Sequence, residues 1–201
     1  SETISSDDGP DRILRHTGGD PAGPSLGVDG RFLAWDPPAQ AVATLCNFRT
    51  LDQAGGWQVL ARVPDRCGPM VPAGEVSASF GEVVDVPRPG PNEVVLAKIE
   101  GVEFSPVESL ESLLFRPSER RATVGSDSYR LIAETAKDGL MLRMGPNIAE
   151  GRGKFAQAPQ EPTIAVTGGS GDLKYEFFRF KVKPEVEKRV DRGKRLEAVG
   201  G

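Results

Sequence analysis

The chain has 201 residues and a formal net charge of −4, and it is rich in glycine and proline, with 24 and 17 of them. Glycine and proline at this level, without a collagen repeat, favour many turns and short strands. The 25 basic residues form no block, which argues against nucleic-acid binding, because phosphates are bound by grouped lysines and arginines. No run of about 18 apolar residues, the length that a membrane helix needs, occurs in the chain.

The composition divides the chain into three parts. Segment 1–30 is dominated by Asp, Gly, Pro and Ser, with Ile13 and Leu14 as an apolar pair, and it predicts a mobile arm or one draped over the surface. Segment 31–183 carries recurring apolar clusters and is predicted to be the folded domain. Segment 184–201 is highly charged and is predicted to be a tail or a linker.

Three strands are predicted at the start of the folded domain. Phe32, Leu33 and Trp35 predict the first, which the Asp-Pro-Pro sequence at 36–38 is interpreted to stop. The apolar run over 41–48 predicts the second, and alternation over 57–63 predicts the third. Residues 51–56, between the last two, are typical of a turn, so we expect a hairpin with a wide loop.

The next predicted pair of strands covers 82–86 and 93–99, on either side of a segment with three prolines. Proline lacks the N–H group that a sheet ladder needs, so 87–92 is predicted to be a loop. The apolar spacing then changes to three and four over 105–115, which predicts one short helix.

The strongest local signal lies at Asp138 and Gly139, because an Asp-Gly pair suits the positive φ angles of a tight turn. It predicts a hairpin of two strands at 128–135 and 140–144.

Two further strands are predicted at 163–167 and 173–182. In the second, the apolar positions change face near Phe177 and Phe178, and a β-bulge there would restore one inward face. Short strands with one brief helix predict an all-β fold, an antiparallel β-sandwich or jelly-roll.

Cys46 and Cys67 stand on or just after neighbouring predicted strands, so a hairpin would bring them together. A disulfide here would stabilise the fold by about 3 kcal/mol and would favour an extracellular or cell-envelope location. The alternative is two unpaired thiols in a reducing cytosol. A structural zinc site is not expected, because two cysteines and one distant histidine do not fill four positions.

The sequence offers little for catalysis. His16 is the only histidine and lies in the predicted arm, which disfavours His-based mechanisms. Paired carboxylates such as Glu108 and Glu111 leave polysaccharide hydrolysis open, although a solvated helix face explains them as well. No cofactor is predicted, and a surface calcium ion near Asp127 or Asp172 is left open.

The aromatic residues with a polar group divide by context. Tyr129 and Tyr175 alternate with apolar neighbours and are predicted to lie in the core. Trp35 and Trp57 stand at predicted strand ends beside turn residues, where exposed rings would stack on sugars or anchor a protein partner. These two tryptophans are the predicted ligand-binding residues.

The chain carries no recognisable family motif. We therefore expect a non-catalytic β-sandwich module, extracellular or on the cell envelope, that binds a glycan or a protein partner. The alternatives are a carboxylate-dependent polysaccharide-active enzyme and a structural or assembly domain of a larger surface protein. Two carboxylates across a cleft would favour the enzyme, an exposed tryptophan without such a cleft would favour binding, and a large apolar patch would favour assembly.

Overall fold

The computed structural model describes residues 9–16, 28–104, 119–149 and 158–183, together with Ile4 and Ser6. The predicted helix over 105–115 and the charged segment 184–201 lie outside these residues. The strands are β1 (Arg12–His16), β2 (Phe48–Ala54), β3 (Trp57–Arg62), β4 (Val71–Ser79), β5 (Val84–Asp85), β6 (Glu93–Glu100), β7 (Arg121–Val124), β8 (Asp127–Arg130), β9 (Leu140–Met144), β10 (Thr163–Thr167) and β11 (Asp172–Lys181). Within the described residues, the α-helices are α1 (Pro38–Asn47), α2 (Ala133–Asp138) and α3 (Pro146–Ala149).

The strands form three antiparallel sheets. The first sheet has the order β1-β3-β2, the second β5-β10-β7-β8 and the third β4-β11-β6-β9. One hydrophobic core includes buried side chains of all three, for example Leu60 of the first, Ile164 of the second and Phe177 of the third. The described chain is mostly β with short helices, which confirms the all-β prediction.

The predictions of strands over 32–35 and 41–48 are wrong, because Leu33–Trp35 is a 3-10 helix and most of 41–48 is helix α1. Pro38 occupies the first turn, where its fixed φ favours a helix and its missing N–H costs nothing. The prolines at 37 and 38 therefore start a helix and do not stop the chain. The helix ends at Asn47, and the next residue, Phe48, has an extended backbone and begins β2.

The first hairpin is formed by β2 and β3, with a tight turn in place of the expected wide loop. Gly55 and Gly56 join the strands with φ angles of +54° and +79°, as a two-residue hairpin turn requires. On the far side of β3, strand β1 pairs from Arg12 opposite Ala61 to His16 opposite Trp57. Residues 12–16 of the predicted arm are thus part of the first sheet.

The predicted hairpin around Asp138 and Gly139 is wrong. Residues 133–138 form helix α2, and the Gly139 φ angle of +102° ends that helix, a common position for glycine. Strands β8 and β9 on either side belong to different sheets. The strands at 82–86 and 93–99 are likewise not partners, because β5 pairs with β10 and β6 with β11 and β9, while 87–92 is a loop as predicted.

A register shift occurs between Phe177 and Phe178, where the sequence predicts a bulge. Phe177 lies opposite Gly74 and Phe178 opposite Pro72, so the additional residue is Ala73 of β4 and not a residue of β11. The position of the irregularity is confirmed, and its strand is corrected. The predicted core residues Tyr129 and Tyr175 are buried.

Candidate functional site

The predicted disulfide between Cys46 and Cys67 is present, with a Cα–Cα distance of 5.2 Å. Cys46 lies in the last turn of α1, and Cys67 follows β3 and forms an isolated β-bridge with Val182, just after β11. The link therefore joins α1 and the first sheet to the end of a third-sheet strand. Asp65 lies close to both sulfur atoms, but sulfurs bonded to each other are not thiolate ligands for a metal.

Arg66 reinforces the same junction. Its guanidinium donates to the carbonyl oxygens of Leu45, at 3.0 Å, and Phe48, at 3.2 Å. Its backbone N–H donates to the Cys46 carbonyl at 3.2 Å. Carbonyls at the end of a helix lack partners within the helix, so Arg66 caps α1 at the point where the disulfide leaves it.

Trp35 is buried, and the prediction that its ring is exposed is wrong. Its Nε1 donates a hydrogen bond of 2.9 Å to the Met141 carbonyl, and its ring packs near Phe32 and Tyr129, with centroids 5.1 and 5.6 Å away. A buried indole needs a partner for its N–H, and strand β9 supplies one. Trp35 is a core residue.

Trp57 is exposed, with 48% of its surface accessible. It begins β3 directly after the Gly55–Gly56 turn, and the His16 ring packs against it at 4.9 Å in an edge arrangement. Of the two predicted ligand-binding tryptophans, Trp57 is therefore the one whose ring a partner can reach.

Trp57 belongs to a row of exposed apolar side chains on the first sheet. Val59 lies two residues along β3 on the same face, and Leu14 of β1 lies directly opposite Val59. Leu14 is 66% exposed and Val59 is 37% exposed. Leu51, the residue skipped by the register shift between Thr50 and Asp52, is also exposed. We call the surface made by Leu14, Leu51, Trp57 and Val59 the outer face.

Polar and charged residues lie among and around the apolar side chains of the outer face. Arg12 and Arg49 flank Ala61 from its two sides in the register of the sheet. Asp52 lies opposite Val59 in the middle row. At the other end His16 lies opposite Trp57. The outer face therefore combines its apolar side chains with one carboxylate in the middle row and two arginines in the row at one end.

A cleft of about 250 Å³ lies between β1 and α1. Its polar lining residues are Arg15, His16, Asp36, Gln40 and Thr44. Burial lowers the pKa of the Arg15 guanidinium from its usual value. Asp36 accepts a hydrogen bond of 2.6 Å from Arg31 and is the one carboxylate among the described residues that line this cleft. Glycoside hydrolysis uses two carboxylates, and the described lining shows one.

The other carboxylates considered from the sequence are dispersed or lie beyond the described residues. Glu108 and Glu111 fall in the segment that is not described. Asp127 accepts a 3.4 Å hydrogen bond from the Tyr129 hydroxyl, and Asp172 accepts one of 3.1 Å from Ser79. Across the described ranges, the group of three potential metal ligands that lie together is Cys46, Asp65 and Cys67. Asp127 and Asp172 are not part of such a group among the described residues.

Arg120 is a buried charge that the sequence analysis missed. Its guanidinium lies over the rings of Phe80 and Phe104, 5.1 and 4.5 Å from their centroids. It donates to three backbone carbonyls, those of Val102, Glu103 and Gly168. These contacts fix the chain around Gly168 and assign Arg120 a structural role. An arginine directly before a strand gives no sequence signal for such a role.

Comparisons of the chain with models of protein families, with curated proteins and with solved structures find no match. Among the helices that the structure describes, none has both the length and the apolar character needed to cross a membrane.

Proposed function

We propose that the chain is a protein-binding module whose docking surface is the outer face. The observation that carries the proposal is the side-by-side exposure of Leu14, Trp57 and Val59 on one face of the first sheet. Contiguous exposed apolar side chains commonly mark interaction sites. A tryptophan within such a surface is a frequent energetic centre of protein interfaces.

The neighbours of Trp57 favour a protein over a glycan. A sugar-binding platform combines an aromatic ring with polar groups that bond the hydroxyls. Here Val59, the next residue on the same face of β3, and Leu14 opposite it offer apolar contact beside the ring, while His16 opposite Trp57 and Asp52 opposite Val59 are the polar groups of the face. Arg12 and Arg49 at the end of the outer face complement acidic groups. The proposed partner therefore presents apolar side chains followed by Asp or Glu.

A peptide display library tests this proposal on the intact chain. We expect selected peptides to combine apolar and acidic residues and to lose at least about 30-fold in affinity to Trp57→Ala, the equivalent of about 2 kcal/mol for a hot spot. Val83→Ala is the matched control, because Val83 is 64% exposed and lies outside the outer face. Peptides that bind Trp57→Ala as well as the native chain would contradict the proposal. Glycan-array binding that depends on Trp57 would favour the glycan alternative.

We also propose an extracellular or cell-envelope location. The disulfide supports it, since disulfides persist in oxidising compartments and are rare in the cytosol. The measurement is alkylation of free thiols in the living source cells, followed by mass spectrometry of the intact chain. Two alkylated cysteines would contradict the proposed location, and an unmodified chain would support it.

A further inference from the structure

Strand β4 lies at the edge of the third sheet, and its two halves differ. The first half carries Pro72, the additional residue Ala73 and Gly74 with a φ of +146°. Proline and bulges at an edge strand hinder pairing with another chain. The second half, 75–79, runs in unbroken register with β11 and has neither feature. Its outer edge is therefore a regular template for one more strand.

The hydrogen bonds of Ser79 show which backbone groups point to this open edge. The Ser79 N–H donates to the Glu82 carboxylate at 2.9 Å, and the Ser79 carbonyl accepts from the Glu82 N–H at 3.0 Å. Both groups therefore point away from β11. Backbone groups in an antiparallel strand repeat their direction every second residue, so the N–H and C=O groups of Ser77 and Glu75 also point outward.

The open edge is exposed and unoccupied by the described parts of the chain. Glu75, Val76 and Ser77 are all exposed. No hydrogen bond among those of the described residues uses the outward backbone groups of Glu75 or Ser77. Two donors and two acceptors thus repeat along this edge at a spacing of two residues. The turn at 79–82 occupies the same groups of Ser79 and ends the template.

We propose that this edge pairs with the same edge of a second copy of the chain, antiparallel about a twofold axis at Val76. In this register Glu75 of each copy lies opposite Ser77 of the other. All four outward groups of each copy are then bonded, because an outward-facing antiparallel pair exchanges both N–H···O bonds. An axis at Ser77 would instead place Glu75 opposite Ser79, whose groups already bond Glu82. The Val76 register is the self-complementary one.

The side chains agree with this register. Val76 is 40% exposed and would meet its own copy at the axis, a β-branched cross-strand pair that stabilises sheets. Glu75 faces a serine and not a second carboxylate, and Lys174 already holds it at 3.3 Å. The two third sheets would join into one continuous sheet. Because one strand from each copy buries little surface, the dimer is weak and depends on concentration.

Sedimentation equilibrium from micromolar to millimolar concentration tests the proposal with Ser77→Pro and its control Ser77→Ala. Proline at position 77 removes an outward N–H but leaves the β4–β11 ladder intact, as prolines at edge strands do. We expect Ser77→Pro to weaken association at least about tenfold, because two intermolecular hydrogen bonds are lost per dimer. Ser77→Ala, which keeps the N–H, should associate as the native chain does.

Val76→Lys keeps the test decisive if the proline variant fails to fold. It would bring two like charges together at the axis and abolish association, whereas Val83→Lys adds the same charge elsewhere and should not. A native chain that stays monomeric at millimolar concentration would overturn the proposal, as would association unchanged in a folded Ser77→Pro or Val76→Lys chain. Association that is lost in Trp57→Ala but retained in Val76→Lys would assign self-contact to the outer face and also overturn it.

Discussion

Replacing both Cys46 and Cys67 by alanine is expected to lower the free energy of unfolding by about 3 kcal/mol at 25 °C. The two residues are 21 positions apart. A cross-link over a loop of this length restricts the unfolded chain, and the restriction disappears when the link is removed. For a chain of this size the loss corresponds to a melting temperature lower by about 6–12 °C.

The fold itself should survive this change. The Arg66 guanidinium holds the carbonyls of Leu45 and Phe48 at the end of α1 without using either sulfur atom. The Gly68 N–H donates to the Lys181 carbonyl at 2.8 Å, and the Lys183 N–H donates to the Arg66 carbonyl at 2.9 Å. These bonds keep the segment after β3 attached to the end of β11 when the cysteines are gone.

Urea unfolding followed by far-UV circular dichroism measures the effect. Removing a cross-link expands the unfolded state and raises the m value, so the comparison uses free energies extrapolated to water. The native chain under reducing conditions should match the double variant, and Val83→Ala, an exposed substitution, should match the oxidised native chain. An equal free energy of unfolding for the oxidised and reduced native chains would refute the claim that the cross-link stabilises the fold by restricting the unfolded chain. Loss of the native spectrum on reduction would refute the claim that the Arg66 contacts hold this junction without the disulfide.

Three further predictions follow from buried groups. Arg120→Met should destabilise the chain by about 3 kcal/mol, measured in urea, since it removes the charged donor from three backbone carbonyls, one in a buried and two in part-buried hydrogen bonds; a neutral result would contradict the structural role. In Trp57→Phe, fluorescence should come from Trp35 alone and be blue-shifted and resistant to acrylamide, whereas Trp35→Phe should leave quenchable, red-shifted emission. Burial raises the pKa of both tyrosines, Tyr129 and Tyr175, to about 12. Absorbance at 295 nm should therefore show no tyrosinate near pH 10 in the folded chain, and this contribution to stability is complete below about pH 10 and lost towards pH 12.

The features that were predicted correctly are those determined by residues close together in the sequence. Alternation placed β3, apolar runs on either side of a Gly-rich turn placed β10 and β11, and the missing N–H groups of three prolines placed the loop at 87–92. The change of face near Phe177 and Phe178 indicated an irregularity in pairing. That Ala73 of the partner strand absorbs it could not be predicted, because the sequence of β11 does not identify its neighbour.

Helix α1 shows why a short apolar run is ambiguous. Residues 41–48 contain Val42, Thr44 and Phe48, which favour strands, but also alanines that favour helices. Periodicity over so few residues does not separate the two structures. In the structure Pro38 lies in the first turn of α1, where proline favours helix formation. From the sequence alone, an apolar segment preceded by two prolines fits a strand after a stop as well as a helix that begins at the proline.

The two tryptophans could not be distinguished from their sequence neighbours, since each stands next to turn residues. Trp35 is buried, and its indole N–H donates to the Met141 carbonyl, 106 positions away. Met141 lies on β9, whose residues 140–144 were predicted as a strand but were paired with 128–135. Because this pairing was wrong, the sequence patterns did not bring Trp35 and Met141 together.

The outer face and the β4 edge are separate surfaces, so their tests do not depend on each other. Trp57 and Val59 belong to the first sheet, and Glu75 to Ser77 belong to the third. One offers side chains and the other offers backbone groups. A partner of the outer face is therefore lost through truncation of a side chain, whereas a partner of the edge is lost through removal of an N–H group. A single protein partner that required both Trp57 and the Ser77 N–H would have to span two sheets. Its affinity would then fall in Trp57→Ala and also in Ser77→Pro.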